Sequence, residues 1–267
     1  MMRFVLSITL SFFSTFLHAE VLRLAVTTSF ENSGLADILL PEIEADLDLD
    51  IQLLVVGTGQ ALRLGEAGDV DALLVHSRAA EDEFVAQGFG THRREIMYND
   101  FVLVGPKNDR AGVRKSRNAA DAVRKLAEAQ ETHVSRGDNS GTHKAEQKIW
   151  MNAGFDPEGF GSWYRAVGAG MGAALNTASA MDAYIFSDRA SWLNYQNKSG
   201  LDLLYAGDPA LFNQYAFLPV NPDRHASVRY DLALKLEAWL VSEKAAERIN
   251  GYSIDGTRLF VFNGSER

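Results

Sequence analysis

Thr132-His133-Val134-Ser135-Arg136-Gly137-Asp138-Asn139-Ser140-Gly141-Thr142-His143 reads as a short strand running out through a hydroxyl- and glycine-rich loop into a helix. About a hundred residues earlier the same arrangement stands once before: an apolar run over 21–26, then Thr27-Thr28-Ser29, then Ser33-Gly34 ahead of a helical pattern. Loops of this kind present backbone N–H groups, hydroxyl donors and a helix N-terminus to whatever lies in front of them, which describes an anion site. Two such junctions far apart in the chain place the anion in a cleft between two lobes.

The rest of the chain is consistent with a receptor outside the cytoplasm. Residues 1–19 have the layout of a signal peptide: Arg3 in a short n-region, an apolar stretch over 4–17, and Ala19 at the expected cut. That stretch is short and rich in Ser and Thr for a membrane span. No other segment is apolar enough to cross a bilayer, so no membrane insertion is expected. The chain has no cysteine, which removes a disulfide framework, thiol chemistry, cysteine metal sites and an N-terminal lipid tether. A periplasmic location is expected. The 267 residues carry a net charge of −9, or −10 once Arg3 leaves with the leader. An acidic surface argues against nucleic acid or an anionic membrane as partner. It also means that an anionic ligand has to be held by local donors against the overall field.

Strand and helix patterns alternate almost throughout, the signature of an α/β fold with largely parallel sheets. Strands are expected at 21–26, 51–56, 72–76, 98–104, 132–135, 183–187, 201–205 and 214–220. Helices are expected at 35–44 (Ser33 as N-cap), 60–66, 118–130 and 142–152, with a small-residue helix ending near Ala180 and one long amphipathic helix over 230–250. Lobe one is placed at 20–105 plus 215–267 and lobe two at 106–214. Two crossings, near Gly105-Pro106 and near 212–214, form the hinge, and lobes joined in this way close around a ligand.

Thr27, Thr28, Ser29, Thr58, Ser135, Ser140 and Thr142 supply hydroxyls. Gly141 and the neighbouring glycines let backbone approach, and Arg136 supplies the conspicuous fixed charge. A fully deprotonated tetrahedral oxyanion offers only acceptors, so a donor-rich set suits it. A protonated phosphate also needs an acceptor, and Asp138 and Glu31 lie in the loops. Hydrogen bonds to a charged group contribute roughly 1.5–3 kcal/mol each, and nanomolar affinity needs about 12 kcal/mol, so six or seven contacts shared between lobes suffice without a metal. Each piece alone has a plainer reading. A Ser/Thr loop before a helix is an N-cap, Arg136 alone is a surface ion pair, and Gly57-Thr58-Gly59 lacks the third glycine of a dinucleotide fingerprint because Leu62 stands there. The set, distributed over both lobes, is what points to a site.

The chain resembles the tungstate-binding receptors of ABC transporters, the TupA type. The resemblance rests on Thr27-Thr28-Ser29-x-x-x-Ser33-Gly34-Leu35, Gly57-Thr58-Gly59-Gln60-Ala61-Leu62, Tyr98 to Pro106, Ser135 to His143, and Met171-Gly172-x-x-Leu175, and it spans essentially the whole chain after the leader. It implies a two-lobed periplasmic-binding-protein fold. It also implies a tungstate ion held by Ser, Thr and Arg without metal or other cofactor, with molybdate weaker, and delivery to a membrane permease driven by a cytoplasmic ATPase. By motif, Thr28, Ser29, Thr58, Ser135, Arg136 and Thr142 become the foremost ligand candidates, with Met171, Gly172 and Arg189 as further ones. Ser187-Asp188-Arg189-Ala190-Ser191 departs from the Asp-Arg-Gly-Thr usual there. A monomer is expected, since receptors of this type deliver cargo singly.

Other readings are weaker. Receptors for phosphate or sulfate, and an anion sensor, share the same fold. A serine hydrolase would use Ser140, His143 and Asp138, but such triads are assembled from separate chain segments. Asp46-x-Asp48-x-Asp50 lacks the glycine and glutamate of a calcium loop, since Ile51 and Gly57 stand at those places.

Overall fold

The computed structural model describes residues 19–265 except 139 and 199. The expected leader therefore lies outside the described residues apart from Ala19, as does Asn139 of the second loop.

The chain begins with a parallel unit. Strand β1 (Glu20–Thr27) leads through the short helix α1 (Thr28–Asn32) into α2 (Leu35–Leu47), then β2 (Leu49–Val56), α3 (Thr58–Ala67), β3 (Ala72–Val75) and α4 (Arg78–Ala86). Strand β1 pairs parallel with β2 on one side and with β3 on the other. Gly34 lies at φ +79 between α1 and α2, a conformation cheap only for glycine. Gly34 is therefore the residue that enters α2, and the expected N-cap Ser33 instead closes α1, its hydroxyl donating to Phe30 O (2.6 Å).

The second unit is built on β4 (Arg94–Pro106), α5 (Ala119–Ala129), β5 (His133–Ser135), α6 (Gly141–Asn152), β6 (Tyr164–Ala166), α7 (Met171–Met181), β7 (Tyr184–Asp188), α8 (Arg189–Asn194) and β8 (Leu201–Tyr205). Strand β5 pairs parallel with β6 and β7. The chain then returns through β9 (Phe212–Pro219), α9 (Tyr230–Leu240), α10 (Glu243–Gly251) and the short strands β10 (Ser253–Ile254), β11 (Thr257–Arg258) and β12 (Val261–Phe262).

The strand order β2-β1-β3-β9-β4-β7-β5-β6 is parallel at both flanks and antiparallel in the middle, where β9 pairs with β3 and β4 and where β7, β8 and β12 pair with β4. The expectation of largely parallel sheets thus holds only for the flanks. Strand β4 is shared. Its first part, to Asp100, pairs with β9, and from Phe101 it pairs with β7. The changeover comes before Gly105-Pro106, which continue the strand against β8.

Burial follows the same division. Two apolar clusters fill the first lobe, one around Leu22, Phe30, Tyr215 and Trp239 and one around Leu73, Phe84 and Leu218. Two fill the second, one around Trp150, Phe186 and Leu211 and one around Val134, Leu175 and Trp192. Met97 belongs to a first-lobe cluster and Val102 to a second-lobe cluster. Helix α8 crosses over: Ala190 packs in the first lobe and Asn194 Nδ2 donates to Asn32 O (3.2 Å).

The long C-terminal helix expected over 230–250 is two helices. Ser242 interrupts it, extended at φ −74 and ψ 162, and caps α10 by accepting from Ala245 N (3.2 Å) while its hydroxyl donates to Trp239 O (2.6 Å). Ser242→Ala is expected to lower stability by about 1 kcal/mol, as loss of an N-cap does. Urea unfolding measures this, and an unchanged midpoint would show that the break is not held by that cap.

Candidate functional site

Three helices start where strands of the two lobes end. Helix α1 follows β1 at Thr27, α3 follows β2 through Gly57, and α6 follows β5 through the Ser135–Ser140 loop. The first N–H groups of a helix have no partner within it, and the aligned peptide dipoles place partial positive charge there. In each case the residue just before the helix is extended (Thr27 ψ 150, Gly57 ψ 154, Ser140 ψ 161), as an N-cap requires.

These starts face one cavity of about 250 Å3, counted out to its mouth. The first lobe lines it with Thr27, Thr28, Ser29, Gly57, Thr58 and His76, the second with Arg136, Ser140, Gly141 and Thr142. Among the described residues none that lines it is acidic. Two donors there, Thr58 Oγ1 and Arg136 Nε, are buried without a hydrogen-bond partner, as is the ring nitrogen Nδ1 of His76, whose donor or acceptor role is set by its tautomer. A buried donor left unpaired costs about 1–3 kcal/mol, so a ligand that accepts from both recovers that energy.

Behind the first-lobe wall lies a polar relay. Ser29 Oγ shares hydrogen bonds with Thr27 Oγ1 (3.1 Å), His76 Nε2 (3.1 Å) and Tyr215 OH (3.0 Å). The His76 and Tyr215 rings lie 4.8 Å apart. Burial lowers the His76 pKa to about 4, against weaker opposing contributions from its own backbone and from Asn213. Tyr215 is pushed up to about 12, first by burial and then by the charge of Asp188, against hydrogen bonds from Ser29 and Thr27. Nearby, Asn213 Nδ2 donates to Asn99 Oδ1 (2.8 Å), joining the two strands that run between the lobes.

The second-lobe wall is organised by carboxylates that do not line the cavity. Asp138 accepts from Arg136 NH2 (2.5 Å), Ser140 N (3.1 Å) and Ser140 Oγ (2.5 Å). Burial raises its pKa, but the Ser140 hydrogen bonds and the Arg136 charge outweigh this and hold it below the ordinary value. Beneath the loop, Glu146 accepts from Ser135 Oγ (2.8 Å), His133 Nε2 (3.1 Å), Tyr164 OH (2.8 Å) and Trp150 Nε1 (3.2 Å). Burial alone would raise the Glu146 pKa; hydrogen bonds from His133, His143 and Ser135 bring it down to about 2. The ionised Glu146 thus ties β5 to α6 and fixes the loop between them.

Of the residues expected from sequence, Thr27, Thr28, Ser29, Thr58, Arg136, Ser140, Gly141 and Thr142 come together on the cavity. Ser135 does not line it; it is fully buried with its hydroxyl on Glu146. Ser140 lines it, but its hydroxyl donates to Asp138 and accepts from His143 N (3.2 Å). Arg189 is held away by a bidentate pair with Asp100 (2.6 and 2.5 Å). Met171 packs in an apolar cluster of the second lobe and Gly172 is exposed. His143 Nδ1 meets Ser135 Oγ (3.1 Å), so the imidazole serves Ser135 rather than Ser140 and the hydrolase arrangement is not assembled. Among the described residues no group of three or more His, Asp or Glu is placed to hold a metal ion.

His76 lines the cavity without having been singled out, and Gly57, quoted from sequence only within a motif, lines it too. His76 directly follows a fully apolar strand, Ala72–Val75, at the carboxyl end where open α/β sheets place ligands. That position was the available signal.

Residues 17–244 match the PBP superfamily domain family. The chain is 44% identical over 247 residues to the tungstate-binding protein TupA of Peptoclostridium acidaminophilum, covering 91% of this chain and 86% of that protein. Among solved structures, the tungstate-binding protein TupA from Desulfovibrio alaskensis G20 is 41% identical with a TM-score of 0.86, over 92% of this chain and 100% of that one. The structure described as the tungstate ABC transporter from Geobacter sulfurreducens is 45% identical with a TM-score of 0.80, over 87% and 99%.

The His76 environment has a pH signature. Its folded pKa, about 4, lies below the ordinary 6.5, so between those values the unfolded chain binds more protons. The stabilisation from a neutral His76 is complete above about pH 6.5 and is lost as the pH falls toward 4. With screening by solvent in the cavity, the loss is on the order of 2 kcal/mol. Urea unfolding from pH 7 to 4 should fall more steeply for the native chain than for His76→Gln; parallel curves would contradict an imidazole held neutral by its surroundings.

Proposed function

The chain belongs to the PBP superfamily, and on that premise we propose that it is an extracytoplasmic receptor that captures a tetrahedral oxyanion, tungstate foremost, between its two lobes. The observation that carries this reading is the cavity wall itself. Helix starts from both lobes, the unpaired Arg136 Nε and the unpaired Thr58 Oγ1 face one space that no acidic side chain lines. Such a site offers donors and no carboxylate acceptor. A fully ionised anion can use every one of them, whereas a protonated phosphate has to bury an O–H without a carboxylate partner, because Asp138 is already taken by Arg136 and Ser140.

In this reading Thr28, Ser29, Thr58, Arg136 and Thr142 donate to the anion, and the Gly141 and Thr142 amides add the α6 dipole. Thr27, Ser135 and Ser140 hold those donors in place. The lobes divide at Asp100–Phe101 on β4 and near Phe212 on β9, and these two crossings act as the hinge. The relatives described as tungstate-binding and as part of a tungstate ABC transporter support delivery of the anion to a membrane permease; in this reading the protein works as a monomer in the periplasm. Binding and release, not bond chemistry, are its work.

Isothermal titration with tungstate, molybdate, sulfate and phosphate tests the reading. One tungstate per chain at nanomolar strength, about 12 kcal/mol, is expected, with molybdate weaker and sulfate and phosphate weaker still. Tight phosphate binding with no tungstate signal would overturn the ligand. Arg136→Ala is expected to weaken tungstate binding by at least about 1.5 kcal/mol; unchanged affinity would remove Arg136 from the site.

A further inference from the structure

His76 and Gly141 face one another across the cavity, one at the end of β3 in the first lobe and one at the start of α6 in the second. A Cβ placed on Gly141 would fall far inside contact distance of His76 Cε1, and at 2.9 Å from Nδ1. Carbon atoms pack best at about 3.5–4.0 Å. The need for glycine here is not conformational, since Gly141 is not among the residues with positive φ. A side chain at 141 is excluded by the other lobe.

The imidazole cannot turn aside cheaply. Its Nε2 is bonded to Ser29 Oγ, which is bonded in turn to Tyr215 OH, and its ring lies 4.8 Å from the Tyr215 ring. Tyr215 is fully buried on β9. On the other side, α6 is capped by Ser140 and tied to β5 through Glu146. Two fixed surfaces therefore meet backbone to ring.

We propose that His76 is a positioning residue, a hard stop against which the Gly141 backbone seats when the lobes close, and that this contact sets the width of the anion cleft. The inference rests on reading the cavity as an oxyanion site. A cleft that shuts on a stop cannot shrink around a small ion. Donors on both walls then reach a large tetrahedral anion at full strength, while a smaller one such as sulfate leaves the bonds to one wall stretched, and hydrogen bonds weaken steeply once stretched. Size discrimination follows from the stop as well as from the donors. A methyl group at 141 forces the walls apart by on the order of 1 Å, enough to stretch the bonds even to tungstate.

The test is a double-mutant cycle on the full chain, using tungstate and sulfate titrations of Gly141→Ala, His76→Ala and the double variant, with melting curves recorded without anion. Gly141→Ala should melt close to the native chain, because alanine suits a helix start, yet bind tungstate at least roughly 100-fold more weakly, the scale of one or two lost charged hydrogen bonds. Removing the stop in His76→Ala/Gly141→Ala should restore affinity at least tenfold over Gly141→Ala. His76→Ala alone should lower the tungstate-to-sulfate preference. Native-like binding by Gly141→Ala, or a double variant no tighter than Gly141→Ala, would overturn the stop. A tungstate-to-sulfate preference unchanged in His76→Ala would overturn its role in size discrimination. If the native chain bound neither anion, the oxyanion reading would fall and the stop with it, a result distinct from tight native binding that Gly141→Ala leaves intact.

Discussion

A doubly charged anion can be buried in a chain of net charge −9 only if fixed dipoles replace the water it gives up. That constraint explains why the site is built from helix starts rather than from a cluster of basic side chains. Among the described residues Arg136 is the sole basic side chain on the cavity wall apart from the neutral His76, and Asp138 already offsets much of its charge. What remains is the N-terminal partial charge of α1, α3 and α6 together with hydroxyls. Such donors are set in place before the ligand arrives and need no reorganisation when it binds. They require three strands from two lobes to end at one point, which the parallel flanks of the sheet accomplish.

The strands that join the lobes stand behind the wall of the site. Tyr215 and Asn213 lie on β9, Asn99 on β4, and through Ser29 and His76 they connect the crossings to the cavity wall. A rotation about these strands therefore moves side chains that touch the wall. Helix α8 adds a second tie, since Ala190 and Asn194 reach into the first lobe. The Arg189–Asp100 pair sits at the changeover on β4, which accounts for an arginine near the site that does not line it.

Much of this was legible in the sequence because it rests on local signals. Apolar runs gave the strands, and the Ser- and Gly-rich loop ahead of residue 142 marked the start of α6, which the structure places at Gly141 with Ser140 Oγ accepting from His143 N. The directions of hydroxyls were not legible. Ser135 and Ser140 read as donors to a ligand, yet carboxylates claim them: Glu146, eleven residues on, for Ser135 and Asp138, two residues back, for Ser140. His76 was marked only by its place after the apolar strand β3, because tertiary packing alone sets it beside Tyr215, on a strand far along the chain. Gly105-Pro106 read as the end of a strand, yet β4 runs on through them, with Pro106 opposite Leu201, and changes partner earlier, at Asp100–Phe101. The break at Ser242 was masked by apolar periodicity continuing on both sides of it, with Leu240 and Ala245 both buried.

The central claim is that one oxyanion bridges the two lobes through helix starts. A crystal structure with tungstate, located by the anomalous scattering of the metal, tests it most directly. The account predicts a single strong peak between Thr58 and Arg136, with Arg136 Nε, Thr58 Oγ1 and the amides that open α3 and α6 within about 3.2 Å of its oxygens. A peak held by one lobe alone, or one lying outside this cavity, would contradict it.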